Sequence, residues 1–177
     1  MKKVQSSCIL FSLLMCMNPV ISAPVDNVRI HGALVAEPCS LAVGDETIHL
    51  NFGAIVDKYL YAYQRTKSQS FTIHLKNCDV NISNLVSLHF TGEENPELKG
   101  FLAINQASSA AGIAIGLESL DGTPLPLNKT GKVFRLSNND NNINIQAYIQ
   151  GEPTALSKRN IRQGSFESAM TFTLVYE

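Results

Sequence analysis

Gly164-Ser165-Phe166-Glu167-Ser168-Ala169-Met170-Thr171-Phe172-Thr173-Leu174-Val175-Tyr176-Glu177 is the stretch that decides the reading of this chain. Phe166, Ser168, Met170, Phe172, Leu174 and Tyr176 share one face, and polar or small residues fill most of the other. A period of two is the signature of a strand with one face buried. The alternation runs to the last residues, where most domains fray into a polar tail. Such a strand has an edge to cover and a core face to close.

The same period recurs upstream. Phe71, Ile73 and Leu75 alternate with Thr72, His74 and Lys76, and Val86, Leu88 and Phe90 with Ser87, His89 and Thr91. Ile113, Ile115 and Leu117 line a further strand, as do Ile143, Ile145, Ala147 and Ile149. Turn residues separate them: Asp121-Gly122, Asn128-Lys129-Thr130-Gly131, Asn138 to Asn142 and Gly151-Glu152-Pro153. No segment sustains a 3.6-residue apolar period, and only Ile55 to Tyr63 suggests a short helical turn. The expectation is an all-β chain folded as a sandwich.

The other end is a different kind of sequence. Lys2 and Lys3 precede the apolar run Ile9 to Met17, then Asn18 and Pro19. This is the layout of a secretory signal peptide over residues 1–22, too short to span a bilayer. Cleavage after Ser22 leaves small residues on both sides and is preferred to cleavage after Ala23, which puts Pro24 next to the bond. Met15 before Cys16 is a poor fit to a lipid-modification box. No other segment reads as a membrane span, so the mature chain is expected to be exported.

Of 177 residues, 45% are hydrophobic and 16% charged, with a net charge of −1, four cysteines and no tryptophan. One domain is the expectation at this length. The composition excludes a disordered acidic tail and a basic nucleic-acid module. The absent tryptophan argues against an antibody-type core. Without the leader, twelve basic residues face fifteen acidic ones, and only Cys39 and Cys78 remain. In an oxidising compartment one such pair reads as a disulfide. Its 39-residue separation corresponds to roughly 4 kcal/mol of loop-closure stabilisation. Two free buried thiols are the alternative. A metal site would need a second ligand close to each cysteine. The stretch Ala23 to Leu34 also alternates: Asp26, Val28, Ile30, Gly32 and Leu34 fall on one face. A glycine within such a face marks close approach by another backbone. Two alternating termini suggest that one copy supplies a strand another copy lacks.

Several motifs in order resemble the pilin subunits of bacterial chaperone–usher fimbriae. They are Asp26 to Leu34, Glu37-Pro38-Cys39-Ser40-Leu41, Ile48-His49-Leu50-Asn51-Phe52-Gly53, Phe71 to Cys78, and Gly112-Ile113-Ala114-Ile115 followed by Asp121 to Leu125. Gly164, fourteenth from the last residue, and the penultimate Tyr176 complete the pattern. The resemblance implies an incomplete immunoglobulin-like sandwich lacking its last strand. Its parts would be a leader (1–22), an N-terminal donor extension (23–36) and a pilin domain (37–177). It implies a structural subunit of a cell-surface fimbria that supports adhesion. In the periplasm a chaperone supplies the missing strand, and at the outer-membrane usher the neighbouring subunit's extension replaces it. On that pattern Val28, Ile30 and Leu34 fill the neighbour's groove and Gly32 lets the backbones close. Asp26 departs from the pattern and is placed at the groove's mouth, in water. Gly164, Phe166, Met170, Phe172, Leu174, Tyr176 and Glu177 would form this subunit's own groove and chaperone face, with the terminal carboxylate held by basic chaperone residues. The region from Phe71 through Gly100 and Leu102 looks more like minor or adaptor subunits than like a shaft subunit.

Other chemistry is thinly supported, and no cofactor is implied. His49, His74 and His89 each lie opposite their strand's apolar face and read as solvated. Ala107-Ser108-Ser109-Ala110-Ala111 lacks the glycines of a nucleophile elbow, and Glu93, Glu94 and Glu97 read as a loop around Pro96. Lys158, Arg159 and Arg162 are too few for nucleic acid; an assembly partner is a minority reading for them. Asn81-Ile82-Ser83 and Asn128-Lys129-Thr130 match glycosylation sequons, which matter only in a eukaryotic secretory route. The competing reading is a self-contained secreted β-sandwich that binds a carbohydrate or a protein, and a hydrolase is weaker still.

Overall fold

The computed structural model describes residues 28–177. The leader over 1–22, both cleavage positions and Asp26 lie outside the described residues. The chain divides into two compact units, Met1–Leu34 and Val35–Glu177. In the first, the described residues 28–34 carry no helix or strand, and Val28, Ile30 and Leu34 are exposed.

The second unit is a two-sheet sandwich. Its strands are β1 (Ser40–Leu41), β2 (Gln69–Cys78), β3 (Leu85–Thr91), β4 (Leu102–Ala103), β5 (Ile113–Ser119), β6 (Lys132–Arg135), β7 (Asn139–Gly151) and β8 (Thr171–Tyr176). The larger sheet has the order β1-β2-β7-β5-β4 and the smaller β6-β3-β8. Every pairing between these strands is antiparallel. One hydrophobic cluster joins the sheets: Ile73 and Leu75 from β2, Val86, Leu88 and Phe90 from β3, and Ile143, Ile145 and Ile149 from β7. Burying a side chain of this size contributes about 1.5–3 kcal/mol.

Three elements depart from the expected pattern. β5 is buried along its whole length, not on one face, because its outer side is roofed. There Arg65 forms two hydrogen bonds with Glu118, at 2.8 and 3.0 Å, and its guanidinium lies 3.5 Å from the Tyr148 ring centroid. Tyr148 meets Phe101 edge-on. A Cβ at Gly116 would collide with the Tyr148 ring, so the bare backbone there seats the tyrosine. Second, Pro153 opens a short helix, α2 (Pro153–Lys158), where the sequence suggested only a turn. Proline fits a first helical turn, whose N–H has no partner in any case. Third, β7 begins at Asn139, inside the asparagine-rich stretch expected to be a turn. The Asn141 side chain bonds Ser137, holding the bend one step earlier. The expected helical turn is α1 (Asp57–Tyr63).

Cys39 and Cys78 are joined by a disulfide and both are buried. It ties the start of β1 to the end of β2, beside a backbone bond from Asp79 N–H to the Pro38 carbonyl.

Candidate functional site

β8 is the edge strand of the smaller sheet, paired only with β3. Thr171, Thr173 and Val175 are exposed, while Phe172, Leu174 and Tyr176 are only half-buried. Their partners across the ladder are not: Val86, Leu88 and Phe90 on β3 are 0–3% exposed. Phe166 and Met170, just before β8, are likewise half-buried. One row of core-facing side chains is therefore packed from beneath and open from the side.

The backbone of β8 is open on the same side. Glu177 N–H donates to the Leu85 carbonyl at 3.2 Å, which fixes the parity of the ladder. In an antiparallel pair, alternate residues bond alternate neighbours. Val175, Thr173 and Thr171 thus bond β3, and the N–H and C=O of Phe172, Leu174 and Tyr176 face the free edge.

A second wall lies in the stretch before α1. Ile48, Leu50, Phe52 and Ile55 are half-buried and pack on the core, and the residues between them are exposed. Yet among the described residues no backbone-to-backbone hydrogen bond involves residues 46–55. This is a strand in side-chain pattern without a ladder partner. At one end, the Phe52 and Phe166 rings stand 6.4 Å apart. At the far end of β8 the Tyr176 hydroxyl is pushed up by burial and, secondarily, by the negative charge of Glu37. Residues 46–55 and the outer edge of β8 thus each present backbone without a ladder partner among the described residues, and unpaired strand edges of this kind template an added strand. The residues of this second wall were not singled out as groove residues from the sequence, although their I-x-L-x-F spacing carried the signal.

The remaining predicted residues are distributed as follows. Gly164 has φ +150°, and a Cβ there would fall 2.8–2.9 Å from the Ser109–Ala110 backbone. It lets the chain enter the final segment while pressed on that loop. Ser168, counted on the apolar face, donates to the Ala103 carbonyl at 2.6 Å and so anchors the segment to the larger sheet. Glu177 accepts from buried Ser87 through its side chain at 2.8 Å. A Cβ at Gly32 would meet nothing within 4 Å.

The His74 side chain is 43% exposed, as expected of a solvated strand position, but it also has a fixed partner. His49 is exposed, but His74 is held by Asp45, whose Oδ2 lies 2.8 Å from the ring Nδ1 and accepts the His74 backbone N–H at 2.6 Å. That backbone bond, and after it the imidazole, lower the Asp45 carboxyl below its usual range. Arg162 donates to the Ser109 carbonyl at 2.8 Å and Arg159 lies 5.8 Å from the Tyr61 ring centroid, so two of the three basic residues brace the path into β8. Among the described residues no three His, Cys, Asp or Glu side chains gather as a metal site, and no helix is long and apolar enough to cross a membrane.

Comparison with known proteins agrees with this geometry. A family model described as Fimbrial protein matches residues 28–177. The chain is 31% identical over 170 residues to the fimbrial-like protein YfcP of Escherichia coli K12, covering 95% of this chain and 93% of that protein. It is 27% identical over 160 residues to the fimbrial adapter PapK of Escherichia coli, covering 87% and 89%. In structure it resembles the P pilus rod subunit PapA, with a TM-score of 0.69 at 22% identity over 80% of this chain and all of that one.

Proposed function

Because the chain belongs to the fimbrial protein family, we propose that this structural fimbrial subunit is polymerised by exchange of strands, as a minor or adaptor member of its fibre. A neighbour's extension enters the groove between β8 and residues 46–55, and this chain's own segment 23–34 enters another neighbour. Before that, a periplasmic chaperone fills the groove, and the exchange takes place at an outer-membrane usher. Residues 1–22 direct export. The subunit has no catalytic role.

One observation carries this reading: a half-buried apolar row and an unpaired backbone edge coincide on Phe172, Leu174 and Tyr176. A self-contained sandwich has no reason to leave both open on the same residues. A strand laid there would gain backbone bonds for affinity and alternate side chains for register. Val28, Ile30 and Leu34 have the spacing to supply those side chains, and Gly32 the close approach. The chain's relatives include an adapter subunit and a major fimbria protein, so the adaptor position rests on the resemblance of the region from Phe71 through Leu102.

Deleting residues 23–34 tests the direction of transfer. The shortened subunit should still co-purify with its chaperone and accept a strand, but should not extend a fibre. Unimpaired polymer formation by this deletion, scored by electron microscopy and gel ladders, would refute the proposal.

A further inference from the structure

Ser87 is buried although its side chain lies on the outer face of the smaller sheet. It is the middle member of the row Val133–Ser87–Val175, which crosses β6, β3 and β8. Both valines are nearly half exposed, whereas Ser87 is 1% exposed. A buried hydroxyl needs a partner, and this one donates to Glu177 Oε1 at 2.8 Å. Glu177 lies two residues beyond Val175, which makes it the diagonal neighbour of Ser87, within reach of a long side chain.

Glu177 is gripped at two further points. Its N–H donates to the Leu85 carbonyl at 3.2 Å, and the Ser83 hydroxyl bonds its main-chain oxygen. The same hydroxyl accepts the Leu85 N–H at 3.3 Å, so Ser83, Leu85 and Ser87 form a cradle around one residue. Alternation turns the Glu177 side chain away from the apolar row of Phe172, Leu174 and Tyr176, so it acts on the groove only through the strand. That strand is paired on one side, and strand ends with few bonds are the first to open.

Resting on the strand-exchange reading, we propose that Ser87 is a positioning residue for strand uptake. By holding Glu177 it keeps the last pair of the ladder, Val86 with Tyr176, closed. The outward N–H and C=O of Tyr176 then stay in line with those of Phe172 and Leu174. An incoming strand finds three bonding residues instead of two, and losing the third weakens its retention about three- to ten-fold.

The test uses the exported chain refolded with a labelled peptide of residues 23–36. Ser87→Ala and Glu177→Ala should each release the peptide about three- to ten-fold faster. The double variant should release it no faster than either, because both changes remove the same bond. Glu177→Gln should behave nearly as wild type, since its amide oxygen accepts the same hydroxyl. With peptide seated, amide exchange in Ser87→Ala should quicken at Val175, Tyr176 and Glu177 and stay unchanged at Phe172 and Thr173, which a general loosening of the sheet would not do. Glu177→Ala changes an exposed residue and carries the test should Ser87→Ala fail to fold. Release at the wild-type rate, additive losses, Glu177→Gln as weak as Glu177→Ala, or exchange quickened evenly along β8 each overturns the positioning role and leaves strand exchange standing. Failure of the unaltered peptide to load, or equal loading of a peptide carrying Ile30→Asp, overturns both.

Discussion

Glu118 is a carboxylate on a buried strand, and it is tolerable there because every oxygen is engaged. Arg65 binds both oxygens, and the Ser68 hydroxyl adds a third bond. Those bonds, Arg65's first, hold the Glu118 carboxyl below its ordinary value of 4.5 against the opposing effect of burial. A carboxyl lowered in the folded state stabilises the fold above its unfolded value, and this contribution is lost as the pH falls through the lowered one. Replacing Glu118 by Gln should therefore cost about 1–2 kcal/mol at neutral pH, the Arg65 side chain being 37% exposed and its share screened by water. The gap between wild type and variant should close as the pH drops below about 4.5. Thermal melts of the strand-completed subunit from pH 7 to pH 3 measure this, and a gap constant over that range contradicts it. Nothing in the sequence marked this residue. Glu118 and Arg65 are 53 positions apart, and only the pairing of β5 with β7 and the bridge from Arg65 to Gln150 bring them together.

At the scale of elements, the contrast lies between β3 and β8. Both alternate cleanly in sequence, and they pair in register from Val86–Tyr176 to Thr91–Thr171. β3 has a neighbour on each side and buries its apolar face, whereas β8 has one neighbour and does not. Periodicity was enough to place both strands and the face each turns inward, because side-chain direction is a property of local backbone. It could not tell a covered strand from an uncovered one, since coverage depends on what lies next to it. The same limit hid the wall at Ile48 to Ile55, whose backbone has no ladder partner among the described residues. In β5 the alternation marked only the face of Ile113, Ile115 and Leu117, whereas the other face is also buried, roofed by distant side chains. If β8 is the receiving edge, Leu174→Asp should make a one-way subunit. It would still donate its own segment but accept a strand at least 100-fold less well, because a carboxylate would have to be buried unpaired. Leu174→Ala should lose less. Mixed with wild type, Leu174→Asp should shorten fibres in proportion to its share, as seen by length distributions in negative stain.

As a whole molecule the subunit is most of a sandwich, stapled where its sheets begin and open where they end. The disulfide closes the 39-residue span from β1 to β2, which constrains the unfolded chain by about 4 kcal/mol. It does nothing for the row of half-buried side chains on the far wall. A chain in this condition is most stable when a strand binds it, and its stability then rises with the strand's concentration. The parity of the β8 ladder adds a kinetic consequence. Amide protons on Thr171, Thr173, Val175 and Glu177 are locked into β3, while those on Phe172, Leu174 and Tyr176 point to the free edge. In deuterated water the last strand should exchange in an odd–even rhythm, with neighbouring residues differing by orders of magnitude in rate. Once a partner strand is seated the rhythm should vanish, because the fast set slows to match the slow one. Residue-resolved exchange would thus count the filled grooves in a population of subunits without any label on the incoming strand.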